Sequence, residues 1–147
     1  MLQNLINYTS LADKIIIDTF LEANKAMPVA EKLFSHVLNA QHIWTKRVFK
    51  EEIEYDRFQM HSVGDFENIH LRNLEAMLQV FHTRDMEEPI IYTTSAAGSF
   101  TSSVSDILFH VVNHSTYHRG QIVSQFKLND ITPPVTDYVM LKRDGLI

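Results

Sequence analysis

The apolar positions of the chain fall into four stretches with the period of a helix. Leu5, Ile6, Leu11, Ile15, Ile16, Phe20 and Leu21 recur at roughly helical spacing and predict a first helix over residues 2–26. Met27-Pro28 breaks it. Pro28 then suits the opening turn of a second helix, where the N–H it lacks would have had no partner. That helix is expected over residues 29–50, with Leu33, Phe34, Val37, Leu38, Trp44 and Val48 as its stripe. Residues 51–62 are charged and lose the period, so they read as a loop with at most a short turn. Asp65 can accept a bond from a free N-terminal N–H and is the expected cap of a third helix over residues 66–82, which carries Ile69, Leu74, Met77, Leu78 and Phe81.

The pattern then changes. Glu88-Pro89-Ile90-Ile91-Tyr92-Thr93-Thr94 combines β-branched and aromatic residues with a proline, and Ser95-Ala96-Ala97-Gly98 closes it. This predicts a short extended segment, with residues 99–101 completing a small hairpin. A fourth helix is expected from Ser102 or Ser103 to about Lys127, where Ser103 and Asp106 form a loose capping box. Leu128-Asn129-Asp130 and Pro133-Pro134 terminate it, and residues 136–141 suggest one more short helix. There is no internal repeat and no linker. The expected architecture is all-α: one domain over residues 1–147, a four-helix bundle with a short extended hairpin between the third and fourth helices. Long amphipathic helices bury their stripes best against one another.

Composition narrows the chemistry. A chain of 147 residues can bury a substantial core, and only four Gly and four Pro favour helices over a turn-rich β fold. There is no cysteine, which excludes disulfides, thiolate zinc sites, iron–sulfur clusters and a cysteine nucleophile, and fits a cytoplasmic location. Residues 1–8 lack a basic stretch followed by an apolar run, and no apolar run is long enough for a membrane span. The net charge is −5 and Lys and Arg are not clustered, so neither nucleic acid nor membrane is the expected partner.

Eight histidines are the feature that points to a site. His110, His114 and His118 are four apart, so their side chains stack along one face of the fourth helix, and two imidazoles at that spacing can hold one ion. Rotation of about 100° per residue separates the two pairs. His118 lies nearest the stripe formed by Val104, Leu108, Val111, Val112, Ile122, Val123 and Phe126. His114 lies on its shoulder, and His110 points towards solvent or a partner subunit. Bundles build metal sites from facing helices, so His114 and His118 are the better pair. A third ligand is needed to hold a divalent ion well. His36 sits on the shoulder of the second helix's stripe beside the small Ala40, whereas His42 falls opposite the stripe and is expected to be exposed. The candidate metal ligands are therefore His36, His114 and His118. His61, His70 and His82 are expected on the solvated surface, and Trp44 and Tyr117 read as packing residues. Ser115 and Thr116 have no visible activating partner, so no serine-type triad is read. On periodicity alone, a non-catalytic bundle with its histidines in a ligand pocket or an interface is the competing reading.

Two segments carry a resemblance. Phe34-Ser35-His36-Val37-Leu38-Asn39-Ala40 followed by Trp44, and His110-Val111-Val112-Asn113-His114-Ser115-Thr116-Tyr117-His118-Arg119-Gly120-Gln121, resemble the second and late helices of the DinB-like family in order and separation. The resemblance implies a four-helix bundle of unusual up–down order, a three-histidine metal site at His36, His114 and His118, and a homodimer. It also implies a metal-dependent enzyme within a wider superfamily that includes thiol-dependent S-transferases and a thiol-dependent isomerase, with a low-molecular-weight thiol as cosubstrate and a small molecule as substrate. Three neutral imidazoles would leave a divalent ion its charge and an open position, for a thiol in S-transfer or for water in hydrolysis. Such ligands suit zinc or nickel, and also copper or iron. Asn39, Asn113 and Gln121 are candidates to brace the ligands or line a pocket. Asn113 and Arg119 are alternatively structural, fixing helix contacts.

Overall fold

The structure is a computed structural model that describes residues 1–94 and 98–147. Four long helices, α1 (Leu2–Ala23), α2 (Pro28–Phe49), α3 (Val63–Thr83) and α4 (Val104–Leu128), form the expected bundle, followed by a short α5 (Tyr138–Arg143). Their ends differ from expectation for local reasons. Asn24 takes a left-handed conformation with φ 43° and closes α1 before Ala26. Asn tolerates that region because its short polar side chain bonds locally. The cap of α3 is Ser62, not Asp65; Asp65 sits in the first turn and accepts a 2.6 Å bond from the Ser62 hydroxyl. At α4 the cap is as read: Ser103 Oγ accepts from the Asp106 N–H at 3.1 Å.

Between α3 and α4, β1 (Pro89–Thr93) pairs antiparallel with β2 (Ser99–Ser103), with Tyr92 opposite Phe100. The expected turn includes Ser95, Ala96 and Ala97, which lie outside the described residues.

The helices do not pack in sequence order. α2 lies against α4 and α3, and α1 lies against α3 and α4, so the order around the bundle is α1, α3, α2, α4. Phe20 in the last turns of α1, Phe34 early in α2, Phe66 in the first turn of α3 and Phe126 in the last turn of α4 meet at one end, with ring centroids 4.9–5.9 Å apart. That meeting point makes α2 parallel to α3. Their connection, residues 50–62, must therefore return along the bundle, and it does so over the outer face of α2. At the opposite end Ile6, Val48, Met77, Val80, Ile90, Ile107 and Val111 form a second apolar cluster.

Between the two apolar ends lies a buried polar layer. Arg119 Nη1 donates to Asp13 Oδ1 at 2.7 Å, with the side chains 1% and 0% exposed. Gln41 Nε2 donates to Asp13 Oδ2 at 2.7 Å and to Ser115 Oγ at 3.1 Å. Asn73 Nδ2 reaches the Leu38 carbonyl at 2.9 Å and Gln41 Oε1 at 3.3 Å. A buried charge needs both a counter-charge and hydrogen bonds, and here all four long helices help to supply them. Arg119 thus fixes helix contacts, the role read for it.

Candidate metal centre

α2 and α4 are neighbours, and their facing surfaces bring His36, His114 and His118 together. The ring centroids form a triangle: His36–His114 5.0 Å, His36–His118 4.9 Å and His114–His118 4.5 Å. Each ring offers a nitrogen, and the three nitrogens lie within 4.8 Å of one another. No fourth histidine or carboxylate joins this group among the described residues. All three side chains are half-buried, at the edge of the core rather than within it.

Two of the rings are braced from behind. His36 Nδ1–H donates to the Arg57 carbonyl at 3.0 Å, and His118 Nδ1–H donates to Gln121 Oε1 at 2.7 Å. Protonating Nδ1 leaves Nε2 as the bare nitrogen, the tautomer that a metal ligand of this type requires. His114 Nδ1 is buried with no hydrogen-bond partner among the described residues. Burial holds the pKa of His36 below the ordinary imidazole value. Burial, reinforced by the charges of His118, His36 and His110, pushes His114 down to about 4. Both are therefore neutral at pH 7, the state that binds a cation. Convergence, neutral rings and braced tautomers make the donor set fit a divalent ion.

Of the residues read as braces, Gln121 holds His118 directly. Asn39 acts one step back: its Nδ2 donates to the Gln59 carbonyl at 2.8 Å and to the Arg57 carbonyl at 3.4 Å, securing the loop that holds His36. Asn113 is exposed. His110 is exposed too, but its ring packs on Trp44 at 5.0 Å.

His42 is not exposed as its helical phase suggested; it is 7% exposed. The returning connection covers it, with the Glu54 N–H donating to His42 Nε2 at 3.1 Å and the Tyr55 ring packed against it at 4.5 Å, tilted by 46°. His61, expected in solvent, is half-buried in the same connection, where its Nε2–H donates to Asn39 Oδ1 at 2.6 Å. His70, also expected in solvent, is 2% exposed between α1 and α3 and bonded to Ser10. His82 is exposed as read.

Sequence reasoning missed the contribution of residues 55–61. Arg57 supplies the carbonyl, and Phe58 stacks on His36 at 5.2 Å with an interplanar angle of 22°. The signal was present: Tyr55, Arg57, Phe58 and His61 are an unusual set for a solvated loop.

A model of the DinB family matches residues 12–144. Protein DinB of Bacillus subtilis (strain 168) is 30% identical over 77 residues, which cover 52% of this chain and 45% of that protein. The match thus spans less than half of the relative's length. No solved structure matches the chain.

Proposed function

We propose that this chain, which belongs to the DinB family, is a metal-dependent enzyme whose ligands are His36, His114 and His118 and whose reaction is S-transfer from a low-molecular-weight thiol to a small electrophile. The observation that carries the reading is the triangle of half-buried imidazoles, two of them locked with Nδ1 protonated. Zinc and nickel suit such a set best, with copper and iron also compatible. Bound there, a divalent ion supplies a Lewis-acid charge that lowers the pKa of a thiol or of water.

The chain's own residues do the rest. Gln121 and the Arg57 carbonyl hold the rings in register. Phe58 shields one side of His36 from water. No fourth histidine or carboxylate joins the three among the described residues, so an ion held there would keep a position open, as in catalytic rather than closed structural sites. Hydrolysis would use the same centre with water in place of the thiol, and a turnover assay with and without added thiol separates the two.

A homodimer belongs to the same reading. Phe109 and Tyr117, on the outer face of α4, are 56% and 65% exposed and are the surface a second copy would cover. Sedimentation of Tyr117→Glu against the parent tests it. No helix among the described residues is long and apolar enough to cross a membrane; a cytoplasmic location is part of the proposal.

The test begins with tag-free protein. Metal content is measured on the parent and on His36→Ala, His114→Ala and His118→Ala. Each variant should lose most of the bound metal; unchanged content overturns the site. Retained metal without chelator-sensitive S-transfer to any of several cellular thiols would overturn the enzyme and keep the metal centre.

A further inference from the structure

The three histidines are flanked on both sides by an arginine lying over an aromatic ring, stacked on a ligand histidine on one side and edge-on to the neighbouring His110 on the other. On one side Arg57 lies over Phe58, with Cζ 5.3 Å from the ring centroid, and Phe58 stacks on His36. On the other, Arg47 lies over Trp44 with Cζ at 4.5 Å, Trp44 packs on His110 at 5.0 Å, and His110 packs on His114 at 5.5 Å. Arg47 is further held by Tyr92, whose ring centroid lies 5.4 Å away, and by the Thr93 carbonyl, which accepts from Nη2 at 3.3 Å. The hairpin thus fixes one guanidinium and the returning connection carries the other. Neither arginine is drawn into the bundle's buried ion pair, which Asp13 and Arg119 form between themselves.

We infer that Arg47 and Arg57 recognise an anionic group on the substrate or thiol cosubstrate, set beside the open position of the metal centre. The inference deepens the reading of that centre and rests on it. Arginine stacked on an aromatic face keeps its planar fork oriented, so less freedom is lost when it pairs with an anion. Burial is the main cause that lowers the Arg47 pKa, and the charge of Arg57 acts on it in the same direction. A bound anion opposes both. The surroundings agree: among the described residues, no carboxylate is among the groups acting on His36, His110, His114 or Arg47. This holds although the chain as a whole carries a net charge of −5. The polar cleft on the other side of α2 is different, because there Glu54 accompanies Lys46 and Arg72. Cations held on aromatic platforms beside the histidines favour ligands of opposite charge.

The protein supplies its own probe, since Trp44 is its one tryptophan. Its fluorescence is followed while 3-mercaptopropionate, or the neutral 3-mercaptopropanamide, is titrated into zinc-loaded and metal-free protein. The acid should bind about tenfold tighter than the amide, the size expected of one charge-assisted hydrogen bond. Arg47→Gln and Arg57→Gln should each reduce that ratio, and the double variant should bring it near one. Salt should erode it as well, because the flanking charges are partly solvated. Equal binding of the two probes, an intact ratio in both variants, or no Trp44 response to the acid overturns the inference. A preserved acid preference with identical affinities in zinc-loaded and metal-free protein supports it and overturns the thiol-on-metal reading instead.

Discussion

Phe20, Phe34, Phe66 and Phe126 meet at one level of the bundle; Asp13, Gln41, Asn73 and Arg119 meet at another. Each level draws on all four long helices, and they impose different demands. The phenylalanines gain from burial and edge-to-face contact, neither of which fixes the helices to better than a rotation or a small slide. The polar level needs donors aimed at acceptors within a few tenths of an ångström, so it fixes the rotation of every helix it touches. Ser115 and Arg119, its contributions from α4, each follow a ligand histidine directly. The polar level is therefore what sets the direction in which His114 and His118 point.

Breaking the ion pair should have the largest effect. Asp13→Ala leaves Arg119 buried without its counter-charge and should cost about 3–5 kcal/mol in urea unfolding. Asp13→Leu with Arg119→Met should recover much of that loss, because two apolar side chains need no partners. A double variant as unstable as Asp13→Ala would show that the level depends on its charges rather than on being satisfied.

Next in size is Gln41→Leu, which strips a hydrogen bond from Asp13 and one from Ser115 and should cost about 1–3 kcal/mol. It should also weaken zinc binding, measured by competition with a chromophoric chelator. Phe66→Leu should cost about 1–1.5 kcal/mol at the other level and leave zinc affinity unchanged. If the two variants weaken zinc equally, the polar level does not orient α4 and the contrast between the levels fails.

The smallest effect concerns pH. Burial holds the His70 pKa below its ordinary value, more than Asp13 and Glu67 raise it. The unfolded chain then binds a proton that the folded chain refuses, so stability falls as pH drops below about 6.5. In metal-free protein, His70→Asn should flatten the dependence of the urea midpoint on pH between neutrality and moderate acid. An unchanged slope would assign the acid sensitivity to other histidines.

These contrasts also mark what the sequence could disclose. Periodicity reports which face of a helix is apolar, and it located four helices, the hairpin, and the phase that separates His114 and His118 from His110. It assumes one buried face per helix. α2 violates that assumption because α3 runs parallel to it, and the connection forced back across its outer side buries His42. Helical phase has no access to partners distant in the chain: Asp13 and Arg119 are 106 positions apart, and nothing near either one announces the other. The same blindness left Arg57 and Phe58 unassigned, since their role depends on where a loop lands.

The order of the helices around the bundle has a thermodynamic consequence. The ligands come from α2 and α4, which touch only after the whole of α3 and the hairpin have been laid down between them. An unfolded chain must close that long loop to bring His36 to His114, so it binds an ion far more weakly than the folded protein does. Metal captured by the native state alone adds RT ln(1 + [M]/Kd) to the free energy of unfolding, about 2.7 kcal/mol at a hundredfold excess over Kd. By linkage, any substitution that loosens the bundle lowers the apparent metal affinity, and the supply of free metal sets how much such damage the fold can tolerate.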